Sequence, residues 1–474
     1  MLKNLASMSS LNLFKAGIQF AISTLIALFV LPAEYGLVTF SLPIIQFIAL
    51  MTDMGLGSAV IRQPDLTRED AGAALALSMA VAVAAALLLA ASAPGIQGWS
   101  HMDGLSPVLA TLALAVGFTI AAAIPRALLE RDLRYQHVAL VEGVATIGGA
   151  LACAALVGFA KAGIWGVVGF HVVVQGTRAV SFLLLTVRLY RFDGHWRRVL
   201  PLMGFGGWVL ASNVINFAAR NAQSLLIGAA LGASAVGIYG MAYQVMILPL
   251  MALAWPASGV LLATLSRIAR VAPAAADPSA FGDAVLALSL LTATICIPTM
   301  AWIAIGLPFP VRALLHPEWH RALPLIQFLA PLGAAQALSS YNGAVLIARG
   351  HARLQFHVNA LSSAALLAGF VAALPFGLHA FAVTYLVVGM IVVIGQLGAM
   401  IWAAAVSPLQ YLRVLRTPLL ATAAGCAAAV LCGGRVETWS QWVVMTLAYA
   451  AAVLLVSALG RAPIVRAVRG LMPA

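Results

Sequence analysis

Apolar residues occur along this chain in long runs that are separated by short polar or glycine- and proline-containing connections. A membrane-spanning helix needs about 20 apolar residues, and the runs predict about fourteen such helices. The predicted spans are 12–33, 36–61, 71–94, 105–125, 138–160, 163–187, 203–229, 234–259, 283–306, 323–348, 354–375, 378–403, 415–433 and 440–460. We therefore expect an all-α integral membrane protein.

Two of the predicted helices carry the same polar stripe, and the two copies lie 201 residues apart. The stripes are Asn12, Lys15, Gln19 and Ser23 in the first copy, and Asn213, Asn216, Arg220 and Ser224 in the second. The spacing of three, four and four residues places each set on one helix face. The flanking sequences repeat too, as Pro32-Ala-Glu-Tyr-Gly36 and Leu231-Gly-Ala-Ser-Ala-Val-Gly237.

This duplication predicts two parallel repeats of six helices, since an even number of crossings preserves orientation. Residues 1–187 would form the first lobe and residues 203–403 the second, joined by a basic interfacial linker at 188–202. Residues 404–474 add two further helices and a tail. Transporters built from such repeats place a polar cavity between the lobes, so we expect a central cavity here.

Composition and charge agree with a bilayer environment. Hydrophobic residues make up 63% of the chain, charged residues 8%, and the mean hydropathy is +1.02. Most basic residues fall in the predicted inward loops and at the termini, whereas Lys161, Arg312, Arg321 and Arg435 fall on the opposite side. This bias predicts that both termini are cytoplasmic. The net charge of +12 is then a topology signal with some attraction for anionic lipids, and no nucleic-acid partner is expected.

Charged residues within the apolar segments are the next candidates for function, because each costs about 2.5–3.5 kcal/mol to insert. Lys15 and Arg220 lie on the two stripes, and a cation pair facing one cavity suits an anionic ligand such as a phosphate. The alternative for Lys15 is snorkelling to the nearby cytoplasmic interface. Arg220 lies mid-helix, where snorkelling is harder.

Three further charges, Asp53, Glu142 and Arg178, are candidates for ion coupling or for a static ion pair. Asp53 shares a helix face with Gln46 and precedes Gly55 and Gly57. Glu142 and Arg178 lie on the fifth and sixth predicted helices, where mutual pairing would make them part of the scaffold.

Enzyme signatures are missing from the sequence. It has no glycine-rich phosphate loop followed by Lys-Ser/Thr and no His-Glu-x-x-His motif, so we expect neither an enzyme nor a bound metal or cofactor. The four cysteines, Cys153, Cys296, Cys426 and Cys432, all lie in apolar segments and are expected to pack as small hydrophobic residues.

Several motifs together resemble the polysaccharide transporter (Wzx-like oligosaccharide flippase) family over nearly the whole chain. They are the Pro32–Gly36 run, Asp53-Met-Gly-Leu-Gly-Ser-Ala-Val-Ile-Arg-Gln63, Leu66-Thr-Arg-Glu-Asp70, Pro125-Arg-Ala-Leu-Leu-Glu-Arg-Asp-Leu-Arg-Tyr135, Leu226-Ile-Gly228, Gly237-Ile-Tyr-Gly-Met-Ala242, Glu318-Trp319 and Ala348-Arg-Gly350. One departure is Gln223, where family members commonly carry Asp. Acid-dependent coupling through that position is therefore not expected.

The resemblance implies an exporter of the superfamily that also holds multidrug antiporters and peptidoglycan-precursor flippases. Its implied role is to move polyprenyl-diphosphate-linked oligosaccharides to the periplasmic leaflet of a bacterial inner membrane, for O-antigen or exopolysaccharide synthesis. Lys15 and Arg220 would hold the diphosphate. The implied sugar contacts are Asn12, Gln19, Asn213, Asn216 and Gln223.

The resemblance also bears on the coupling ion and on protein partners, and two alternative functions remain open. Proton or sodium exchange is compatible with it, with Asp53 as the leading coupling residue, and so are a polysaccharide polymerase and a chain-length protein as partners. The first alternative is a cation-coupled multidrug exporter, which two cavity cations disfavour. The second is a membrane glycan polymerase, which the short outer loops disfavour.

Overall fold

The structure is a computed structural model that describes residues 17–18, 21–53, 56–63, 65–191, 206–271, 278–433 and 436–460. Within these ranges, the description leaves out some helical side chains, including those at positions 53, 206–216 and 218–220. Every regular element in these ranges is helical. The chain divides into two compact units, Met1–Gly240 and Met241–Ala474. The lobe boundaries that the sequence suggested, at residues 187, 203 and 403, stay predictions.

The first unit is built of long helices joined by short turns. They are α1 (21–29), α2 (Pro32–Asp53), α3 (Leu56–Arg62), α4 (Arg68–Ser100), α5 (Leu105–Arg131), α6 (Tyr135–Ala154, extended by a π-helical turn at Ala155–Phe159), α7 (Ile164–Thr186) and α8 (Gly206–Pro249), which continues into the second unit. Helix α5 packs against α2, α3, α4 and α7. Its buried residues Leu105, Leu109 and Leu112 make it the centre of this unit.

The second unit contains both long and short helices. After a π-helical turn at Leu250–Ala254 they are α9 (Trp255–Val271), α10 (Pro278–Gly306), α11 (Pro308–Leu314), α12 (Ala322–Ser339), α13 (Asn342–Ala348), α14 (Ala352–Ala373), α15 (Gly377–Ala403), α16 (Pro408–Gly433) and α17 (Trp439–Leu459). Short 3₁₀ turns at Pro317–Arg321 and Leu374–Phe376 precede α12 and α15.

Eleven segments of the described chain are long and apolar enough to cross a membrane. Two of them, Asn221–Gly259 and Ala352–Ala403, have 39 and 52 residues and contain two crossings each. The breaks lie at Gly232 (φ 84°, ψ 178°) and Gly377 (φ 84°, ψ −178°), which are backbone conformations that favour glycine. With α1, these segments match the fourteen predicted helices, and the all-α membrane class is confirmed.

Several helix ends differ from the predicted spans, and proline and capping residues explain the differences. The predicted first span ran to residue 33, but Pro32 instead begins α2, in keeping with its preference for the first helical turn. Within the predicted span 36–61, the structure describes α2 as far as Asp53 and α3 from Leu56 onward. In contrast, α4 and α5 continue through Pro94 and Pro125, which membrane helices tolerate.

The start of α4 is set by a capping box that the predicted span 71–94 missed. The side chain of Thr67 accepts a hydrogen bond from the Asp70 N–H at 3.1 Å, and Asp70 Oδ2 accepts one from the Thr67 N–H at 3.1 Å. These reciprocal bonds satisfy two amide donors at the helix end. The helix therefore begins at Arg68.

The last two helices pack on α10 within the second unit, a placement that the sequence did not resolve. Tyr449 Oη of α17 donates to the Pro298 carbonyl at 2.7 Å, and Trp442 Nε1 donates to the Gly306 carbonyl at 2.7 Å. Helix α16 packs against both α10 and α17. The polar tips of Tyr449, which is buried, and Trp442, which is partly buried, thus attach α17 to α10 at two levels.

Candidate functional site

The polar stripes of the sequence fall largely outside the part of the chain whose side chains are described. Asn12, Lys15 and Gln19 lie outside the described residues. Asn213, Asn216 and Arg220 lie on α8, and Asp53 is the last residue of α2, but their side chains are not described. The substrate and coupling roles of these residues stay predictions.

Gln223, which lies beside the second stripe, is the predicted substrate contact whose side chain is described. It is buried, and its Oε1 accepts a hydrogen bond from Tyr239 Oη at 2.8 Å. Tyr239 lies beyond the break at Gly232, so this bond ties together the two parts of α8. A role for Gln223 in contacting sugar stays a prediction.

Glu142 and Arg178 meet at the centre of a charged network in the first unit. Arg178 Nη2 lies 2.6 Å from Glu142 Oε2, and Arg178 Nη1 donates to Gln175 Oε1 at 2.8 Å. Arg126 Nη1 lies 3.6 Å from Glu142 Oε1, and Arg126 Nε lies 2.8 Å from Glu130 Oε1. The pairing of Glu142 with Arg178 is the geometry that the scaffold interpretation requires.

Solvent exposure is lowest at the centre of this network. The exposed fraction of the side chain is 6% for Glu142, 25% for Arg178 and 47% for Arg126. Glu142 is therefore the most strongly desolvated charge, and two guanidinium groups compensate it. Two arginines and two glutamates balance formally, so the network has no net charge to attract an anion.

The network lines a cavity of about 370 Å³ that lies within the first unit. Hydroxyl groups of Thr52, Ser78 and Thr119 line it together with the charged residues. Ser78 Oγ donates to the Ile120 carbonyl at 2.8 Å and so joins α4 to α5. The cavity has room for several water molecules or a small polar ligand.

Close packing of α6 on α7 positions Glu142 opposite Arg178. A Cβ atom built on Gly149 would lie 2.3 Å from Val174 Cγ2 and 3.0 Å from the Phe170 carbonyl oxygen, so the two backbones approach where α6 has no side chain. The ion pair lies two turns before Gly149 along α6 and one turn after Val174 along α7. Glycine at this crossing thus brings the two charged side chains within reach.

Sequence reasoning missed Arg126 and Glu130 as part of this site. It ended the fourth helix at Pro125, which placed both residues in a loop, whereas α5 continues to Arg131. Their spacing of four residues is the signal that an unbroken helix would have revealed. Within the described residues, no group of three His, Cys, Asp or Glu side chains is arranged to hold a metal.

Comparison with known proteins places the chain in a family. The profile of a family described as polysaccharide biosynthesis protein matches residues 25–324. The chain is 25% identical over 321 residues to the teichuronic acid biosynthesis protein TuaB of Bacillus subtilis (strain 168), covering 66% of this chain and 63% of the relative. It is 22% identical over 328 residues to the lipopolysaccharide biosynthesis protein WzxC of Escherichia coli (strain K12), covering 69% and 65%.

A solved structure shows the same fold over nearly the whole length. The lipid II flippase MurJ, in an inward closed conformation, aligns with 98% of this chain and 100% of its own, with a TM-score of 0.73 and 11% identity. At that identity the likeness concerns the fold. The chain matches less than two thirds of the length of the two curated relatives.

Proposed function

The chain belongs to the polysaccharide biosynthesis protein family, and on that basis we propose that it translocates polyprenyl-diphosphate-linked oligosaccharides across a bacterial inner membrane. The names of TuaB and WzxC, which concern teichuronic acid and lipopolysaccharide biosynthesis, support a surface polysaccharide as the final product. The match over residues 25–324 is the observation that carries this proposal.

The physical task explains why a protein with this composition suits such a role. A sugar hydroxyl transferred into hydrocarbon without a hydrogen-bond partner costs several kcal/mol, so an oligosaccharide does not cross a bilayer unaided. A water-lined path between two repeats lowers that cost, while the prenyl chain stays in the lipid. Alternating exposure of the path to the two leaflets then transports the glycan without opening a continuous pore.

The duplicated stripes are the proposed substrate contacts. Lys15 and Arg220 bind the diphosphate, and Asn12, Gln19, Asn213, Asn216 and Gln223 contact sugar hydroxyls. Both termini are cytoplasmic in this proposal, because most of the basic loops then face inward. The role is transport, with no covalent step assigned to the chain.

The charged network around Glu142 has a different proposed role, as scaffold of the first unit. Its charges are balanced, and its most buried member is paired. Such a network holds α5, α6 and α7 in register without offering a surplus positive charge to a phosphate. Asp53 remains the leading candidate for coupling to a proton or sodium ion.

Transfer in proteoliposomes tests the proposed function. Lipid-linked oligosaccharide would be placed in the inner leaflet, and its arrival outside would be measured with a membrane-impermeant glycosidase. We expect glycan exposure to depend on the protein. Efflux of a cationic dye without glycan exposure would instead indicate a multidrug exporter, and lengthening of the glycan would indicate a polymerase.

Replacing Arg220 by alanine tests the predicted diphosphate contact. A hydrogen bond to a charged group contributes about 1.5–3 kcal/mol, so we expect the rate of transfer at low substrate to fall about tenfold to a hundredfold. Arg220→Lys should retain part of the rate, because it keeps the charge but loses bidentate geometry. Arg312→Ala, an exposed arginine of α11, is the matched control. Full transfer by Arg220→Ala would remove this residue from the site.

A further inference from the structure

The start of α2 and the part of α8 that follows Gly232 meet backbone to backbone. A Cβ atom built on Gly36 would lie 1.8 Å from the Ala233 carbonyl oxygen, and one built on Gly237 would lie 2.0 Å from the Pro32 carbonyl oxygen. Real Cβ atoms are not found below about 3.0 Å, so only a glycine hydrogen fits at either position. Each glycine therefore directs a Cα–H group at a carbonyl of the opposite helix.

These two contacts are equivalent under the sequence duplication. The offset of 201 that relates the polar stripes also relates Pro32 to Ala233 and Gly36 to Gly237. Gly36 of the first copy therefore contacts Ala233 of the second copy. In the same way, Gly237 of the second copy contacts Pro32 of the first. An isologous pairing of this kind is the signature of a two-fold axis, here within a single chain.

A third pair extends the same register by one helical turn. Thr39 and Gly240 are also 201 residues apart, and a Cβ built on Gly240 would lie 2.6 Å from Thr39 Cγ2. Thr39 donates its hydroxyl to the Tyr35 carbonyl within α2, so its methyl group faces Gly240. Gly36 also meets its equivalent Gly237, since a Cβ built on Gly36 would lie 3.1 Å from the Gly237 N. Because equivalent positions meet at both turns, the two helices run in the same direction, as in parallel pairs with small residues four apart.

The position and chemistry of this contact indicate what it does. Each helix begins there, α2 after the bend at Val30 and the second part of α8 after the break at Gly232, so the contact lies at the membrane end of both helices. It consists of backbone and methyl groups of uncharged residues.

We propose that this glycine junction (Pro32, Gly36 and Thr39 with Ala233, Gly237 and Gly240) is a releasable seal on the non-cytoplasmic side. The proposal rests on the proposed transport function. The seal is closed while the substrate path is open to the cytoplasm, and it parts to let the glycan leave. The close fit keeps water out when the helices meet, and no ion pair among these six uncharged residues has to break when they part.

Thiol labelling tests the junction directly. Thr39→Cys would be introduced after the four native cysteines are replaced by alanine, and labelled from outside with a membrane-impermeant maleimide. We expect slow labelling at rest and about tenfold faster labelling with Gly36→Leu or Gly237→Leu, which hold the helices apart. Transfer of lipid-linked oligosaccharide should fall about tenfold in the same variants.

Matched controls separate the junction from a general effect of glycine replacement. Gly95→Leu and Gly98→Leu change glycines of α4 at which an added Cβ would meet nothing within 4 Å, so labelling and transfer should stay unchanged. If the leucine variants fail to fold, Thr39→Cys with both glycines intact still reports opening, because added substrate should accelerate labelling.

Two outcomes are informative in opposite ways. Unchanged labelling in the leucine variants, or substrate transfer without faster labelling of Cys-substituted position 39, overturns the proposal. If the glycine variants accelerate labelling but the wild-type protein transfers no glycolipid, the junction is supported and the proposed substrate is wrong.

Discussion

Replacing Glu142 by alanine is expected to lower the free energy of unfolding by about 3–5 kcal/mol, which is typical of breaking a buried ion pair. The change leaves Arg178 without its carboxylate partner at 2.6 Å and removes the more distant contact to Arg126. Because Arg178 retains 25% exposure, water offsets part of the loss, and we expect a value near the lower end. Denaturant unfolding of the detergent-solubilised protein measures it.

A double variant separates the loss of the pair from the loss of packing. Glu142→Met combined with Arg178→Met removes both charges and keeps most of the side-chain volume, so it should recover most of the stability lost in Glu142→Ala. Glu437→Ala, an exposed carboxylate of the second unit, is the control and should change stability little. A double variant no more stable than Glu142→Ala would contradict the ion-pair explanation.

The same double variant distinguishes a scaffold from a coupling site. If the network only holds α5, α6 and α7 together, the Met-Met protein should transfer glycolipid at a rate close to that of the wild type. Dependence of that rate on an imposed proton or sodium gradient should also remain. Loss of gradient dependence with normal stability would instead assign Glu142 to coupling.

Trp319→Ala is expected to destabilise the protein by a similar amount, about 3–5 kcal/mol, because it empties a large buried site. Trp319 is 1% exposed and lies in the 3₁₀ turn Pro317–Arg321. Trp99→Ala is the matched control, since Trp99 is 68% exposed and its replacement leaves no cavity. The midpoint of thermal unfolding in detergent compares the two variants. Equal losses for both would show that Trp319 does not anchor this turn.

The apolar runs predicted most of the fold because membrane helices obey a simple length rule. The breaks at Gly232 and Gly377 fall between predicted spans for that reason. Helix ends were less predictable, since they depend on single residues such as proline, which can either begin a helix or lie within one. Pro32 begins a helix, whereas Pro125 is carried within one, and the neighbouring helices decide which occurs.

The sequence predicted the candidate site only where a single pair of opposite charges was enough to identify a contact. Glu142 and Arg178 are opposite charges on adjacent apolar helices, and the sequence therefore predicted that they could pair with each other. The additional contact from Arg126 required knowledge of how far α5 extends beyond Pro125. In the same way, the duplication identified Gly36 and Gly237 as equivalent positions. Equivalence does not imply contact, and only the structure shows that the two glycines touch.

In the topology that we propose, the break at Gly232 faces the periplasm, and it limits how the protein can be labelled in spheroplasts. One non-helical residue joins two membrane crossings there, so the chain exposes almost nothing that an antibody or a protease could bind. An epitope tag inserted at that position would displace the start of the helix segment that carries Gly237. The segment from Pro308 to Arg321 is longer and is therefore the better place for a surface label, provided that Trp319 is left in place.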